Sequence, residues 1–173
     1  MDSVKSISLV GFMASGKTTV GKQLAKRLGF EFVDTDDLAE KFEGRTISSM
    51  FEDSGEAYFR DVESRILQEV LSEPGRVIST GGGIILREEN IMALRGASIV
   101  VWLKASRETI LKNLGRTEDK RPLMRKGEAE ERIDKILPAR IEKYRKAAHI
   151  TVAVDGKSPA NIVSEILFNL KKM

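Results

Sequence analysis

The residues easiest to read as chemistry are Gly11-Phe-Met-Ala-Ser-Gly-Lys-Thr18. They fit G-x-x-x-x-G-K-[ST], the P-loop, in which backbone N–H groups cradle phosphates. In that spacing Lys17 reaches the β- and γ-phosphates and the Thr18 hydroxyl ligates Mg²⁺. The expected nucleotide contacts are therefore Ala14, Ser15, Gly16, Lys17, Thr18 and Thr19. A second group follows at Asp34, Asp36 and Asp37. A P-loop enzyme needs a carboxylate near its metal, and Asp34 is the candidate, acting directly or through water. Asp36 has two open readings. It can orient an acceptor hydroxyl or take its proton, or Asp36 or Asp37 can simply cap the next helix.

Two arginines and a glycine run extend the set. Arg60 lies at the edge of a Phe59-Val62-Ile66 stripe, with Glu63 three residues on to hold it; an ordinary surface ion pair would look the same. Arg140 shares a helical face with Ile133, Leu137 and Tyr144, so it needs a partner, either a structural carboxylate or an anionic substrate. Gly81-Gly82-Gly83 permits close backbone approach to a ligand, or is a flexible turn. Between Gly115 and Gly127 there are five basic and two acidic side chains. Beside a P-loop, that segment reads as a lid over the triphosphate, with Arg121 as the phosphate contact that meets transition-state charge.

These residues need elements to carry them. Ile7–Val10 is apolar enough for a buried strand, and Val20, Leu24 and Leu28 give the following helix its stripe, stopped by Gly29. Further strands are expected at 31–34, 77–79, 99–103 and 150–154. Helices are expected near 36–44, 47–54, 57–71, 88–94, 106–114, 128–147 and 158–170, with Pro138 breaking or restarting the penultimate one. The alternation predicts a single α/β domain over 1–173, a three-layer α/β/α sandwich on a five-stranded parallel sheet. In such sheets ligands gather at the carboxyl ends of the strands. With 173 residues, 41% hydrophobic, the chain can build a real core. It has no cysteine, so disulfides and thiolate metal sites are excluded. No apolar run approaches a membrane span, and the first strand follows the N-terminus at once, so a cytoplasmic protein is expected. A net charge of +3 argues against a nucleic-acid partner.

Taken in order, the motifs resemble those of the shikimate kinase family. They are Gly11-Phe-Met-x-x-Gly-Lys-Thr18, Asp34-Thr-Asp36, Phe51-x-x-x-Gly-Glu-x-x-Phe-Arg60-x-x-Glu63, Gly81-Gly-Gly83, Arg121-Pro-Leu123 and Arg140-x-x-x-Tyr144. The resemblance covers nearly the whole chain and implies a P-loop kinase fold. It implies transfer of the ATP γ-phosphate to the 3-hydroxyl of shikimate, in aromatic amino acid synthesis, with Mg²⁺ at Thr18 and Asp34. By motif position Asp36, Arg60, Gly82 and Arg140 would bind shikimate, with Gly81 and Gly83 beside them. The arginines would take the carboxylate and Asp36 the hydroxyls. Arg121 would reach phosphate from the lid, Arg116 would lie against adenine, and Lys157 in the 155–159 loop would flank the base. Ala14 stands where many members carry glycine. A monomer is expected. Another small P-loop kinase, for a sugar acid or a nucleoside monophosphate, is the competing enzyme. A nucleotide-binding regulatory module is the competing class, and Asp36 and Arg140 count against it.

Overall fold

The computed structural model describes residues 5–116 and 126–173, with only the backbone of Lys126. The sheet is built from β1 (Ser6–Val10), β2 (Glu31–Asp34), β3 (Arg76–Ser79), β4 (Ser98–Lys104) and β5 (Ile150–Ala153). All pairings are parallel, in the order β2-β3-β1-β4-β5. β1 is buried along its whole length, Ser6 and Ser8 included, and Val100–Leu103 of β4 are apolar and buried, as in strands covered on both faces.

The helices are α1 (Lys17–Leu28), α2 (Thr35–Glu43), α3 (Ile47–Ser54), α4 (Glu56–Leu71), α5 (Glu88–Ala97), α6 (Arg107–Gly115), α7 (Lys126–Ala147) and α8 (Pro159–Leu170). A 3₁₀ turn at Ile84–Leu86 precedes α5. Two cores result. Val20, Leu24 and Ala25 of α1 pack with Ile162, Val163 and Ile166 of α8 on one face. On the other, Phe59, Val62 and Ile66 of α4 meet Ile91 and Leu94 of α5 and Ile133 and Tyr144 of α7. That is the expected three-layer sandwich.

The expected elements are all present, with ends shifted by a few residues. α1 and α2 stop at Gly29 and Gly44, both left-handed at φ 69° and 66°. Ser106 caps α6 through the Thr109 N–H. One expectation fails: α7 runs unbroken through Pro138. Proline costs one helical hydrogen bond and crowds the preceding turn. Here Ile133 before it and Tyr144 after it are both buried in the same core, so packing holds the two halves in line.

Strand order sets the site. β2, β3 and β1 lie side by side, and Asp34 pairs with Ser79 while Leu9 pairs with the same residue from the other side. The residues leaving the carboxyl ends of these strands therefore share one rim. Most of the lid segment, including Arg121, lies outside the described residues.

Candidate active site

The P-loop begins where β1 ends. Gly11 has no room for a side chain: a Cβ there would lie 2.7 Å from the Leu103 carbonyl oxygen. Gly16 is left-handed at φ 92°, turning the chain into α1 so that the first-turn N–H groups face the loop's hollow. Ala14 is left-handed too, at φ 58°, unique among the described non-glycine residues. Its carbonyl accepts the Asn113 amide of α6 at 2.8 Å. Sequence reasoning missed Asn113, because a partner 99 residues away leaves no local signal. Lys17 is buried, and its ammonium donates to the carbonyls of Gly11 (2.7 Å) and Phe12 (2.9 Å). A cation is thus fixed in the mouth of a loop whose N–H groups attract anions.

Asp34 closes β2. One carboxylate oxygen accepts the N–H groups of Asp36 (2.9 Å) and Asp37 (3.3 Å), which makes Asp34 the cap of α2. Neither Asp36 nor Asp37 caps that helix; both sit in its first turn. The capping alternative is thereby corrected, and it falls on Asp34 because that residue alone keeps extended backbone, at φ −111° and ψ 120°. The other carboxylate oxygen of Asp34 accepts the Thr18 hydroxyl at 3.2 Å. Two hard oxygen donors thus meet beside the P-loop, a set suited to Mg²⁺, which takes one or two protein ligands plus phosphate oxygens and water. Among the described residues no cluster of three metal-ligating side chains forms.

Three glycines follow β3, and each is surrounded by functional side chains. A Cβ at Gly81 would stand 2.8 Å from both Asp36 Oδ1 and Glu63 Oε1. At Gly82 it would lie 3.3 Å from the Met13 nitrogen and 3.7 Å from Arg140 Nη1, and at Gly83 it would collide with the Arg60 guanidinium. The expectation was that these glycines admit a ligand. They first admit the protein's own side chains, bringing Asp36, Arg60 and Arg140 around one strip of backbone beside the P-loop.

Arg60 is not an ordinary surface ion pair. It donates to Glu63 at 2.9 Å, and Glu63 is only 2% exposed. Burial pushes the Glu63 carboxyl above its ordinary pKa, against the pull of Arg60 and, more weakly, of Arg140 and Arg87. Glu63 Oε1 and Arg60 Nε are buried without a hydrogen-bond partner among the described residues. Arg140 lies half-buried with its guanidinium 5.7 Å from the Phe12 ring, and no described carboxylate pairs with it. Of the two partners left open for Arg140, the structural carboxylate is not found among the described residues.

The adenine-side residues are more dispersed. Arg116 caps the end of α6 and is exposed. Lys157 pairs with Glu165 of α8 at 2.5 Å. Its loop is tied to the start of α6 by Asp155, which accepts the Ser106 N–H (2.9 Å) and the Thr109 hydroxyl (2.6 Å). These bonds, the Thr109 one foremost, hold the Asp155 carboxyl below its usual pKa.

A parallel sheet of this order, with a P-loop leaving its central strand and a second polar cluster at the neighbouring strand ends, defines a P-loop phosphotransferase of the small-molecule kinase class. A gluconokinase from Sinorhizobium meliloti shares this fold (TM-score 0.57, 18% identity, 97% of this chain and 92% of that one). The sequence model of the family described as shikimate kinase matches residues 13–171. A shikimate kinase from Persephonella marina is 42% identical over 168 residues, spanning 97% of this chain and all of that protein. A solved shikimate kinase from Acinetobacter baumannii, in complex with shikimate, superposes with a TM-score of 0.91 at 35% identity, covering 98% of this chain and 94% of that one. The chain belongs to the shikimate kinase family.

Proposed function

We infer that this chain is an ATP-dependent kinase that phosphorylates shikimate, and that the rim described above is where it does so. What supports the site is the convergence of Asp36, Arg60 and Arg140 on Gly81–Gly83, immediately beside Met13 of the P-loop. Phosphoryl transfer asks for little covalent chemistry from the protein; catalysis is positioning plus electrostatic stabilisation. The N–H groups of Ala14 to Thr19 and the Lys17 ammonium hold the triphosphate. Arg60 and Arg140 hold the acceptor carboxylate, and their planar forks suit paired hydrogen bonds to it. Asp36 then faces the 3-hydroxyl, orients it toward the γ-phosphate and accepts its proton. Thr18 and Asp34 would hold Mg²⁺, which would supply charge neutralisation at the phosphate oxygens. Arg121 meets the transferring group from the lid, and Arg116 and Lys157 flank the adenine. The enzyme works as a monomer in the cytoplasm, and among the described residues no helix is long and apolar enough to cross a membrane.

The gluconokinase likeness reaches only the fold, so a sugar acid is the acceptor to test against. ADP release in a coupled assay should rise steeply with shikimate and stay near background with gluconate, with a nucleoside monophosphate and with no acceptor. Equal ADP release with and without shikimate would remove the acceptor site; a larger rise with gluconate would reassign it.

A further inference from the structure

Tyr144 takes no part in the chemistry just described, yet it touches the acceptor rim directly. It is fully buried, and its hydroxyl donates to the Gly82 carbonyl at 2.5 Å, across 62 residues of sequence. Gly82 lies between the two substrate sides: a Cβ there would meet the Met13 nitrogen of the P-loop at 3.3 Å and Arg140 Nη1 at 3.7 Å. The tyrosine ring stacks on Trp102, with centroids 5.8 Å apart. Trp102 pairs in register with Val10, the last residue of β1 before the P-loop. One side chain thus ties the loop after β3 to the strand pair that carries the P-loop. Arg140, one helical turn before it on α7, places its guanidinium near the same phenol oxygen.

We propose that Tyr144 is a positioning residue of the acceptor site, whose hydroxyl fixes the Gly82 carbonyl and thereby the distance between the P-loop and Arg140. The donor is present throughout the working range. Burial pushes the phenol up to about 12, although Arg140 pulls the other way. The ring alone would fill the core, but among the described residues it is the hydroxyl that donates to the half-buried Gly82 oxygen.

The proposal rests on the reading that Arg140 and Gly82 hold the acceptor. The test is Tyr144→Phe, which keeps the ring on Trp102 and deletes the donor. The KM for shikimate should rise about tenfold, the upper part of the range for losing one net hydrogen bond. The KM for ATP should stay within about twofold and kcat within about threefold. Ile133→Val, on the same buried face of α7, supplies a comparable loss of stability with the phenol intact and should leave the KM for shikimate unchanged. An unchanged KM in Tyr144→Phe overturns the proposal. So does a rise that Ile133→Val reproduces, or one shared equally by ATP, since either makes the phenol merely structural. Arg140→Ala separates the two readings: if it leaves the KM for shikimate unchanged, the site assignment itself fails. If it raises that KM and Tyr144→Phe does not, only the role of Tyr144 fails. Should Tyr144→Phe not fold, 3-fluorotyrosine in a Tyr58→Phe background places one fluorine probe at position 144, because the chain has two tyrosines. Its resonance should move on adding shikimate and not on adding ADP; indifference to shikimate overturns the proposal.

Discussion

The phosphate side of the rim is one continuous stretch of backbone, whereas the acceptor side is assembled from side chains on α2, α4 and α7 around a glycine strip after β3. The difference follows from what each must bind. Phosphate oxygens accept from any N–H, so a helix N-terminus and a turn suffice, and residues 11–19 carry the phosphate cradle. A carboxylate with ring hydroxyls needs directed groups at fixed separations, so it calls on elements far apart in sequence. The first kind of site is robust to its neighbours and sensitive to its own backbone. The second depends on how α2, α4 and α7 are packed. Lys17 is held by carbonyls five and six residues away, while Arg60 and Arg140 are aligned by packing against residues 83 and 82.

Crossed substitutions give the largest expected effects. Asp36→Asn should lower kcat by ~10²–10⁴, the range for a lost proton acceptor or orienting group, and leave ATP affinity intact. Its helix should survive, because Asp34 and not Asp36 is the cap. Lys17→Ala should cost ~10²–10³ in kcat, the range for one lost electrostatic contact to the transition state, and leave shikimate binding intact. Calorimetry with each ligand alone reads both halves. If each variant weakens the two ligands alike, the two sides are not separable.

How much of this was legible from the sequence divides along the same line. The P-loop could be read outright, since motif, strand and helix are contiguous. The apolar periodicity carried the sheet and nearly every helix. Asp34, Asp36, Arg60, the glycine run and Arg140 could each be singled out, and the rim rule and the family resemblance put them together, but the contacts by which they meet depend on β3 lying between β2 and β1. Local reading also left the cap of α2 open between Asp36 and Asp37, two or three residues past the true one, since three acids in four positions all suit it and backbone angles decide. Pro138 misled because propensity counts the lost hydrogen bond and not the core that outweighs it. Asn113 and the hydroxyl of Tyr144 were beyond reach, because each bonds a backbone carbonyl chosen by tertiary structure.

Arg140→Ala sharpens the acceptor side. Removing one partner of a buried hydrogen-bonded charge pair costs ~2–5 kcal/mol, so shikimate should bind at least ~30-fold more weakly. ATP affinity should change far less. Wild type should prefer shikimate strongly over the analogue with a neutral amide, and the variant should lose most of that preference. Equal preference in both proteins would make Arg140 a structural arginine.

Asp34 belongs to both sides, and two substitutions separate its duties. Asparagine caps a helix as well as aspartate does, but is a poor Mg²⁺ ligand. Asp34→Asn should therefore raise the Mg²⁺ concentration needed for half-maximal activity and shift Tm by no more than about 1 °C. Asp34→Ala loses the cap as well, ~1 kcal/mol, or about 2–4 °C in a chain of this length. Identical Tm values for the two variants would show that the bonds to Asp36 and Asp37 contribute nothing.

The smallest effect is expected at Ala14, where the backbone character of the nucleotide side can be tested by itself. A non-glycine residue in the left-handed region costs ~1–2 kcal/mol, and Ala14 sits there at φ 58°. Glycine removes that strain. Against it stand ~0.4–1 kcal/mol of extra freedom in the unfolded chain and part of the ~0.8 kcal/mol of a buried methyl, since Ala14 packs partly against the core. The balance favours Ala14→Gly by about half a kcal/mol, a Tm gain of about 1–2 °C. The bond donated by Asn113 should be unchanged, because it goes to the carbonyl of residue 14 and not to its side chain. The KM for shikimate should stay where it is, because the bond Ala14 accepts comes from Asn113 of α6, outside the acceptor side. A fall of more than about 2 °C would mean that the methyl's packing outweighs the strain. A shift in the KM for shikimate would mean that the P-loop's conformation reaches the acceptor strip through Met13 and Gly82, and that the two sides are one site.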